Sequence, residues 1–239
     1  MILVGLGYER RVGKDTVADR MVENHGFTKV PFAEALYEET HQAFTVTTEP
    51  YQCSTRVTSF SCGTRGDIIT RDNDYGCGVP ALNALKVWLD QRVTNPHEVA
   101  RHRGPSGRTT YHFPRGMVNK DGLLLQWWGT DFRRALFGDE YWLARWGEKA
   151  FRHARVVVPD CRFLNEVDII RDNGGEYWRV WSDTKHATDN DNRSDEHPSE
   201  VELRGVSPDA YIANSYSLDQ LFEQVDALTE RLVSEASGR

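Results

Sequence analysis

Residues 1–21, MILVGLGYERRVGKDTVADRM, carry the strongest structural signal of this chain. The apolar run Ile2–Gly5 is typical of a short buried strand, and the apolar spacing over Asp15–Asn24 predicts an amphipathic helix. Gly7 and the sequence Gly13-Lys14-Asp15-Thr16 stand between them. A strand that leads through glycines into a helix is typical of a phosphate-binding loop, because backbone N–H groups and the helix N-terminus attract anions there.

This loop departs from the usual G-x-x-x-x-G-K-[ST] spacing. Five residues separate Gly7 from Gly13, and Asp15 stands where Ser or Thr is usual. Lys14 is expected to reach the β- and γ-phosphates of a nucleotide, and Asp15 or Thr16 is expected to face Mg²⁺. The alternative is a glycine-rich turn with a solvent-exposed lysine. The candidate phosphate- and metal-binding residues of the loop are Gly7, Arg11, Gly13, Lys14, Asp15 and Thr16.

Strands and helices alternate along the rest of the chain. The β-branched run Ala154–Pro159 has no polar alternation, which is typical of a parallel strand covered on both faces. Further strands are predicted at Phe27–Val30, Glu176–Trp181 and Ala210–Ala213. The predicted helices are Ala33–Phe44, Ala81–Val93, Leu123–Phe137, Tyr141–His153, Asn165–Asn173 and Leu218–Glu235. This order predicts an α/β fold with a mostly parallel, doubly wound sheet flanked by helices.

The interval 45–121 interrupts this alternation. Thr45–Val79 reads as loop or β-hairpin, and Asn95–Asn119 reads as irregular chain with a strong turn signal at Gly104–Gly107. We therefore predict one domain over residues 1–239 with an irregular segment inserted at 45–121.

Composition limits the class of protein. The 239 residues carry a formal net charge of −7, which argues against a protein that coats nucleic acid, although arginine-rich stretches leave local anion binding open. No apolar run is long enough to span a membrane. The four cysteines, Cys53, Cys62, Cys77 and Cys161, have irregular spacing that favours neither a disulfide framework nor a C-x-x-C metal site. A reducing cytoplasm is the simplest compartment.

A second group of candidate residues follows Ala154–Pro159. Asp160, Arg162, Asn165 and Glu166 lie just beyond the carboxyl end of a predicted central strand, where ligands bind in open α/β sheets. Asp160 could be a carboxylate in the second coordination shell of a magnesium ion, or a base for an attacking oxygen. Arg162 could clamp a phosphate with its planar guanidinium group. Equally, Asp160 could cap the next turn and Arg162 could pair with a surface acid.

Two further groups are candidates for substrate binding. On the predicted helix at 123–137, Gln126, Thr130, Arg133 and Arg134 share one face that could present an amide to a base and guanidinium groups to a phosphate. The alternative is an exposed polar face. Near the C-terminal part, His197 could contact a nucleotide, whereas Ser199 could simply cap a short helix.

Together these segments resemble the bacteriophage-type deoxynucleoside monophosphate kinases, a branch of the P-loop kinases. The opening GLGYERRVGKDTVAD is similar to the family's GKDT loop, in which Asp is usual and a longer loop is tolerated. The other similar stretches follow in the family's order over about 60% of the chain: PFAEAL, LQWWGTDFRRALFGDEYW, DCRFLNEVDIIRDNGGEYWRV, HPSE and DAYIANSYSLDQLFEQVDAL.

The resemblance implies transfer of the ATP γ-phosphoryl group to a deoxynucleoside monophosphate, with Mg²⁺ as cofactor, for phage DNA synthesis. It implies catalytic roles for Lys14, Asp160, Arg162 and Arg133. The implied substrate-binding residues are Phe32, Gln126, Thr130, Asp131, Arg134, Asn165, Glu166 and His197. The resemblance also implies a host-cytoplasmic protein if it is phage-encoded, without stable nucleic-acid or membrane partners, and it leaves a homodimer open.

The resemblance does not extend over residues 45–121, which in the family hold part of the monophosphate-binding or lid region. The base that is accepted therefore stays open. Two other functions remain alternatives. One is a P-loop kinase that acts on a modified base in DNA or on another small phosphorylated acceptor, and the other is a regulatory protein that binds nucleotide without turnover.

Overall fold

The computed structural model describes residues 1–7, 9–41, 44–51, 54–62, 68–70, 100–113, 125–134, 137–183 and 198–238. The chain divides into two compact units. The first unit comprises Met1–Glu34 and Trp142–Arg239, and the second comprises Ala35–Tyr141.

The first unit is built on a five-stranded, wholly parallel sheet in the order β10-β9-β1-β8-β2. Its strands are β1 (Ile2–Gly7), β2 (Thr28–Lys29), β8 (Arg155–Val158), β9 (Glu176–Trp181) and β10 (Ala210–Ala213). Its helices are α1 (Lys14–His25), α3 (Tyr141–Ala150), α4 (Leu164–Asp172), α5 (Pro198–Val201), a 3₁₀ turn (Glu202–Gly205) and α6 (Leu218–Ser237). The predicted α/β class with a parallel sheet flanked by helices is confirmed.

Side chains alternate across this sheet and form two apolar layers, because successive residues of a strand point to opposite faces. On one face Val4, Leu6 and Trp178 pack with residues of α1 and α6. On the other face Leu3, Val156 and Tyr177 pack with residues of α3 and α4. Every one of these six sheet residues is buried, and β1 and β8 are nearly continuous apolar runs, as expected of a sheet covered on both sides.

Close packing against β1 needs glycine at two of its positions. A Cβ added at Gly5 would lie 2.2 Å from Ile170 Cδ1 and 2.7 Å from Cys161 Sγ. A Cβ at Gly7 would lie 2.5 Å from the hydroxyl oxygen of Tyr177. These glycines therefore let α4 and β9 side chains approach the strand that leads into the loop.

The second unit contains an antiparallel sheet in the order β5-β4-β3-β7-β6. Its elements are α2 (Glu34–Thr40, which starts at the boundary), β3 (Phe44–Tyr51), β4 (Ser54–Cys62), β5 (Ile68–Thr70), β6 (Ala100–Arg103), β7 (Thr109–Phe113) and a π-helix (Trp127–Arg134). The expected hairpin within 45–79 is confirmed as β3 and β4. The single-domain boundaries and the inserted-segment assignment stay predictions.

Three predicted elements differ from those observed. The helix expected over Ala33–Phe44 ends at Thr40, and Phe44 starts β3. The interval 95–119, expected to be irregular, contains β6 and β7 joined at the turn Gly104–Gly107. The predicted α-helix at 123–137 is a π-helix over Trp127–Arg134, which changes the spacing of its side chains. The helix predicted at Ala81–Val93 lies outside the described residues.

Candidate functional site

The loop between β1 and α1 turns sharply into the helix. Arg11 has φ 61° and Gly13 has φ 92°, both in the left-handed region. Gly13 is the N-cap residue of α1, without a side-chain cap, and its carbonyl accepts a hydrogen bond from the Val17 N–H at 3.1 Å. A non-glycine residue held at positive φ costs free energy and is common at binding loops. The loop therefore enters α1 through two left-handed residues, and the first turn of the helix has no side-chain cap.

Lys14, the first residue of α1, folds back across this loop. Its Nζ donates a hydrogen bond to the carbonyl oxygen of Glu9. The Lys14 side chain is half-buried and its ammonium group contacts the backbone of the loop, while its role toward a phosphate stays a prediction.

Asp15 and Thr16 lie in the first turn of α1, as a magnesium role requires. The Asp15 side chain is 82% exposed, and its carboxylate lies 3.5 Å from Lys29 Nζ. Among the residues that the structure describes, no three His, Cys, Asp or Glu side chains are grouped as a metal centre. Mg²⁺ is commonly held by one or two protein oxygens together with phosphate oxygens and water, so an exposed carboxylate and a hydroxyl beside the loop fit such an ion.

The loop is anchored at Val12. Its side chain is fully buried in the layer beneath α1, and its carbonyl accepts a hydrogen bond from Asn214 Nδ2 at 3.0 Å. Asn214 follows β10 directly, and its own N–H donates to the Trp181 carbonyl at 2.8 Å. The loop is therefore attached to the carboxyl end of a strand that lies two positions away from β1 in the sheet.

Asp160 follows β8 and holds the segment before α2. Its two carboxylate oxygens accept hydrogen bonds from the N–H groups of Phe32 at 2.8 Å and Ala33 at 2.9 Å. Burial raises the pKa of Asp160 more than these bonds and the charge of Arg162 lower it. Neither predicted role, at magnesium or as a base, is tested. The alternative that Asp160 caps the turn following it is not what these bonds show.

Phe32 was predicted to bind substrate, and its ring lies in the core. The ring is 3% exposed and packs on Trp146 with a centroid separation of 4.7 Å. Its substrate contact stays a prediction, while packing and the bond to Asp160 are the roles that the structure shows.

Arg162 lies at the start of α4, beside the segment that contains α5. Its guanidinium donates to the carbonyl oxygen of Ser199 at 3.3 Å, and its backbone N–H donates to Glu166 Oε2 at 2.7 Å. Glu166 is buried and also accepts the Phe163 N–H at 3.1 Å, so it caps α4. Asn165 is half-buried in the first turn of the same helix. Their ligand roles stay predictions.

The other candidate residues belong to the second unit or lie outside the description. Gln126, Arg133 and Arg134 are buried, and Thr130 is half-buried, so the alternative of an exposed polar face is wrong. The π-helix over Trp127–Arg134 changes the angular spacing of these side chains from that of the α-helix on which the shared face was predicted, and the shared face stays a prediction. Asp131 lies in the same π-helix. His197 lies outside the described residues.

A buried charged cluster in the second unit was missed by the sequence analysis. Glu39 of α2 accepts hydrogen bonds from Arg133 Nε at 2.9 Å, from Trp128 Nε1 at 3.1 Å and from the Tyr141 hydroxyl at 2.6 Å. The Arg133 side chain is 0% exposed and that of Glu39 is 7% exposed. The guanidinium also lies 5.4–5.8 Å from the ring centroids of Trp128, Phe137 and Tyr141. Arg133 is thus held by a carboxylate and three aromatic rings.

Comparison with known proteins adds one similarity. No protein-family model matches the chain. Over 233 residues the chain is 25% identical to a protein of Acanthamoeba polyphaga mimivirus named "Putative deoxynucleotide monophosphate kinase", and the match covers 94% of each chain. None of the helices in the described part of the chain is long and apolar enough to cross a membrane.

Proposed function

We propose that this chain is a nucleoside monophosphate kinase that transfers the γ-phosphoryl group of ATP to the 5′-phosphate of a deoxynucleoside monophosphate. The observation that carries the proposal is the loop between β1 and α1, in which a left-handed Gly13 leads into a helix whose first residue, Lys14, contacts the Glu9 carbonyl of the loop. The similarity to a protein named as a deoxynucleotide monophosphate kinase supports the same class of acceptor.

The reaction needs little covalent help from the protein, because positioning and charge neutralisation supply most of the catalysis. An oxygen of the acceptor phosphate attacks the γ-phosphorus, the bond to the bridging oxygen breaks, and ADP leaves. Lys14 and the loop amides hold the donor phosphates. Asp15 and Thr16 would hold Mg²⁺, which would supply charge neutralisation at the phosphates. Asp160 fixes the segment at Phe32 and Ala33.

Arg162 is the proposed phosphate clamp at the carboxyl edge of the parallel sheet. Its planar guanidinium can form charge-assisted hydrogen bonds with phosphate oxygens, which are stronger than bonds between neutral groups. Gln126, Thr130 and Arg134 keep the proposed role of binding the acceptor.

A coupled ADP-release assay tests the proposal. The protein, with ATP and Mg²⁺, is assayed against a panel of deoxynucleoside monophosphates that includes 5-hydroxymethylated pyrimidines. We expect ADP release that depends on one or a few of these acceptors. ATP binding without acceptor-dependent ADP release would overturn the kinase and favour the regulatory alternative, whereas phosphate transfer to duplex DNA alone would favour the modified-base alternative.

The Lys14→Ala variant tests the loop. We expect about a hundredfold or greater loss of turnover, since a charge that stabilises the transferring group is removed. Lys149→Ala is the matched control, because Lys149 is a partly exposed lysine of α3 that pairs with Glu34 at 3.3 Å. Near-normal turnover of Lys14→Ala would contradict the proposed loop function. Arg162→Ala should impair use of the acceptor, and an unchanged kcat/KM would remove Arg162 from the site.

A further inference from the structure

The loop between β1 and α1 is attached at Val12, a contact that is not part of the usual G-x-x-x-x-G-K-[ST] pattern. Between the left-handed residues Arg11 and Gly13 lies Val12, whose side chain is buried and whose carbonyl oxygen accepts the hydrogen bond from Asn214. Val12 is therefore fixed from both sides, by apolar packing beneath α1 and by an amide from the end of β10.

Asn214 also packs directly against Gly13. A Cβ added at Gly13 would lie 2.3 Å from Asn214 Nδ2 and 3.3 Å from its Cγ. The asparagine side chain thus fills the space beside the residue that caps α1. The backbone N–H of Asn214 donates a hydrogen bond to the Trp181 carbonyl at the end of β9. The asparagine that contacts the loop is therefore itself held by the sheet.

We propose that Asn214 is a positioning residue for the phosphate-binding loop. It acts through the Val12 carbonyl and the contact with Gly13, and so orients the amides and Lys14 toward the phosphates of ATP. The longer loop of this chain, with five residues between its glycines, is stiffened by that bond. This inference rests on the proposed function of the loop.

Two variants separate the hydrogen bond from the packing. Asn214→Asp keeps the shape of the side chain but replaces the donor with an oxygen that repels the Val12 carbonyl and the phosphates. Asn214→Ala removes both contacts. The matched control is Gln224→Ala, because the Gln224 amide of α6 bonds the N–H and carbonyl of Ala213 at 3.1 Å and 3.0 Å without contacting the loop.

The measurement is calorimetric titration with ATP and Mg²⁺. We expect the Kd for ATP to rise about three- to tenfold in Asn214→Ala, which is the range for one lost hydrogen bond, and further in Asn214→Asp. In steady-state assays the KM for ATP should rise while the KM for the acceptor stays unchanged. Amide hydrogen exchange of residues 9–14 should become faster in both variants, and Gln224→Ala should show none of these effects.

The outcomes distinguish this inference from the proposed function. If the wild-type protein does not bind ATP, the proposed function fails and the inference fails with it. If the wild type binds ATP and Lys14→Ala does not, but both Asn214 variants bind ATP like the wild type, the positioning role alone is overturned. Equal effects of Gln224→Ala and Asn214→Ala would assign Asn214 to holding β10 only. If Asn214→Ala does not fold, the isosteric Asn214→Asp decides by the same measurements.

Discussion

Glu39→Ala is expected to destabilise the second unit more than any exposed charge change would. The substitution removes the carboxylate that accepts hydrogen bonds from Arg133, Trp128 and Tyr141. It also leaves the Arg133 guanidinium, which is 0% exposed, without the carboxylate it contacts. Removing one partner of a buried ion pair costs about 3–5 kcal/mol. This is a large share of the stability of about 5–15 kcal/mol that is typical of a folded domain.

A double variant tests the physical reason. If the cost comes from a buried charge without its counter-ion, Glu39→Leu combined with Arg133→Met should restore most of the lost stability, because no charge then has to be desolvated. The stability losses of the single variants Glu39→Leu and Arg133→Met should therefore together exceed the loss of the double variant by about 2 kcal/mol or more. If the cost comes only from lost packing, the two losses should add.

The assay is urea denaturation followed by tryptophan fluorescence and by circular dichroism. Two probes are needed because the chain has two compact units, which can unfold in separate transitions. Glu34→Ala is the matched control, since Glu34 lies in the same helix and its ion pair with Lys149 is 44% and 38% exposed. Such a pair contributes about 0–1 kcal/mol. A loss below about 1 kcal/mol for Glu39→Ala, or strict additivity of the losses for Glu39→Leu and Arg133→Met, would refute the reasoning.

Three further predictions concern the first unit. The hydrogen bond from Arg20 lowers the pKa of Asp226 to about 2. This carboxylate therefore stabilises the fold above about pH 4, and its contribution is lost as the pH falls toward 2. In urea titrations Asp226→Asn should cost about 1 kcal/mol at pH 7, after allowance for exposure, and nothing near pH 2. Burial raises the pKa of Tyr177 to about 12, so the fold should lose about 2–3 kcal/mol between pH 10 and 12, and Tyr177→Phe should abolish that loss. Gly5→Ala should lower stability by about 1–3 kcal/mol through overlap with Ile170, and adding Ile170→Val should recover part of the change in Tm.

The parallel sheet was predictable because each strand carries its own local signal. The bounds of β9 and β10 coincide with the predicted ones, and α1 extends one residue beyond the prediction at each end. Gly26, at φ 67°, ends α1 as expected of a residue just past a helix. Buried apolar runs, helical spacing and a terminal glycine are all encoded within a few neighbouring residues, so no knowledge of the tertiary structure is needed.

The antiparallel sheet was harder to predict because its pairing is not local. β3 pairs with β7, more than fifty residues later in the sequence, and no short stretch records that contact. One signal was overlooked: the turn at Gly104–Gly107 is followed by Thr109–Phe113, a short run rich in β-branched and aromatic residues that is compatible with a hairpin strand. The π-helix carries no period that distinguishes it from an α-helix in a single sequence.

The candidate site residues differ in the same way, since some belong to a local sequence pattern and others make contacts with residues distant in the sequence. The position of Gly13 and Lys14 between a strand and a helix was predictable because it is a local pattern, whereas Asn214 lies 202 residues from the loop it contacts and Glu39 lies 94 residues from Arg133. The carboxylate of Glu39 sits in a short helix where it reads as an ordinary surface charge. Only its burial reveals a different role.

Long-range contacts hold the longer loop between Gly7 and Gly13. One extra residue between Gly7 and Gly13 lengthens the loop, and a longer flexible loop costs more conformational entropy to order. Val12 offsets that cost, since its side chain is buried and its carbonyl is bonded to Asn214. The loop therefore has a strand end, a left-handed glycine and a lysine at the first helical residue, although the number of residues between its glycines differs from the usual pattern. A search by spacing alone would reject this loop, although its geometry contains each of these parts.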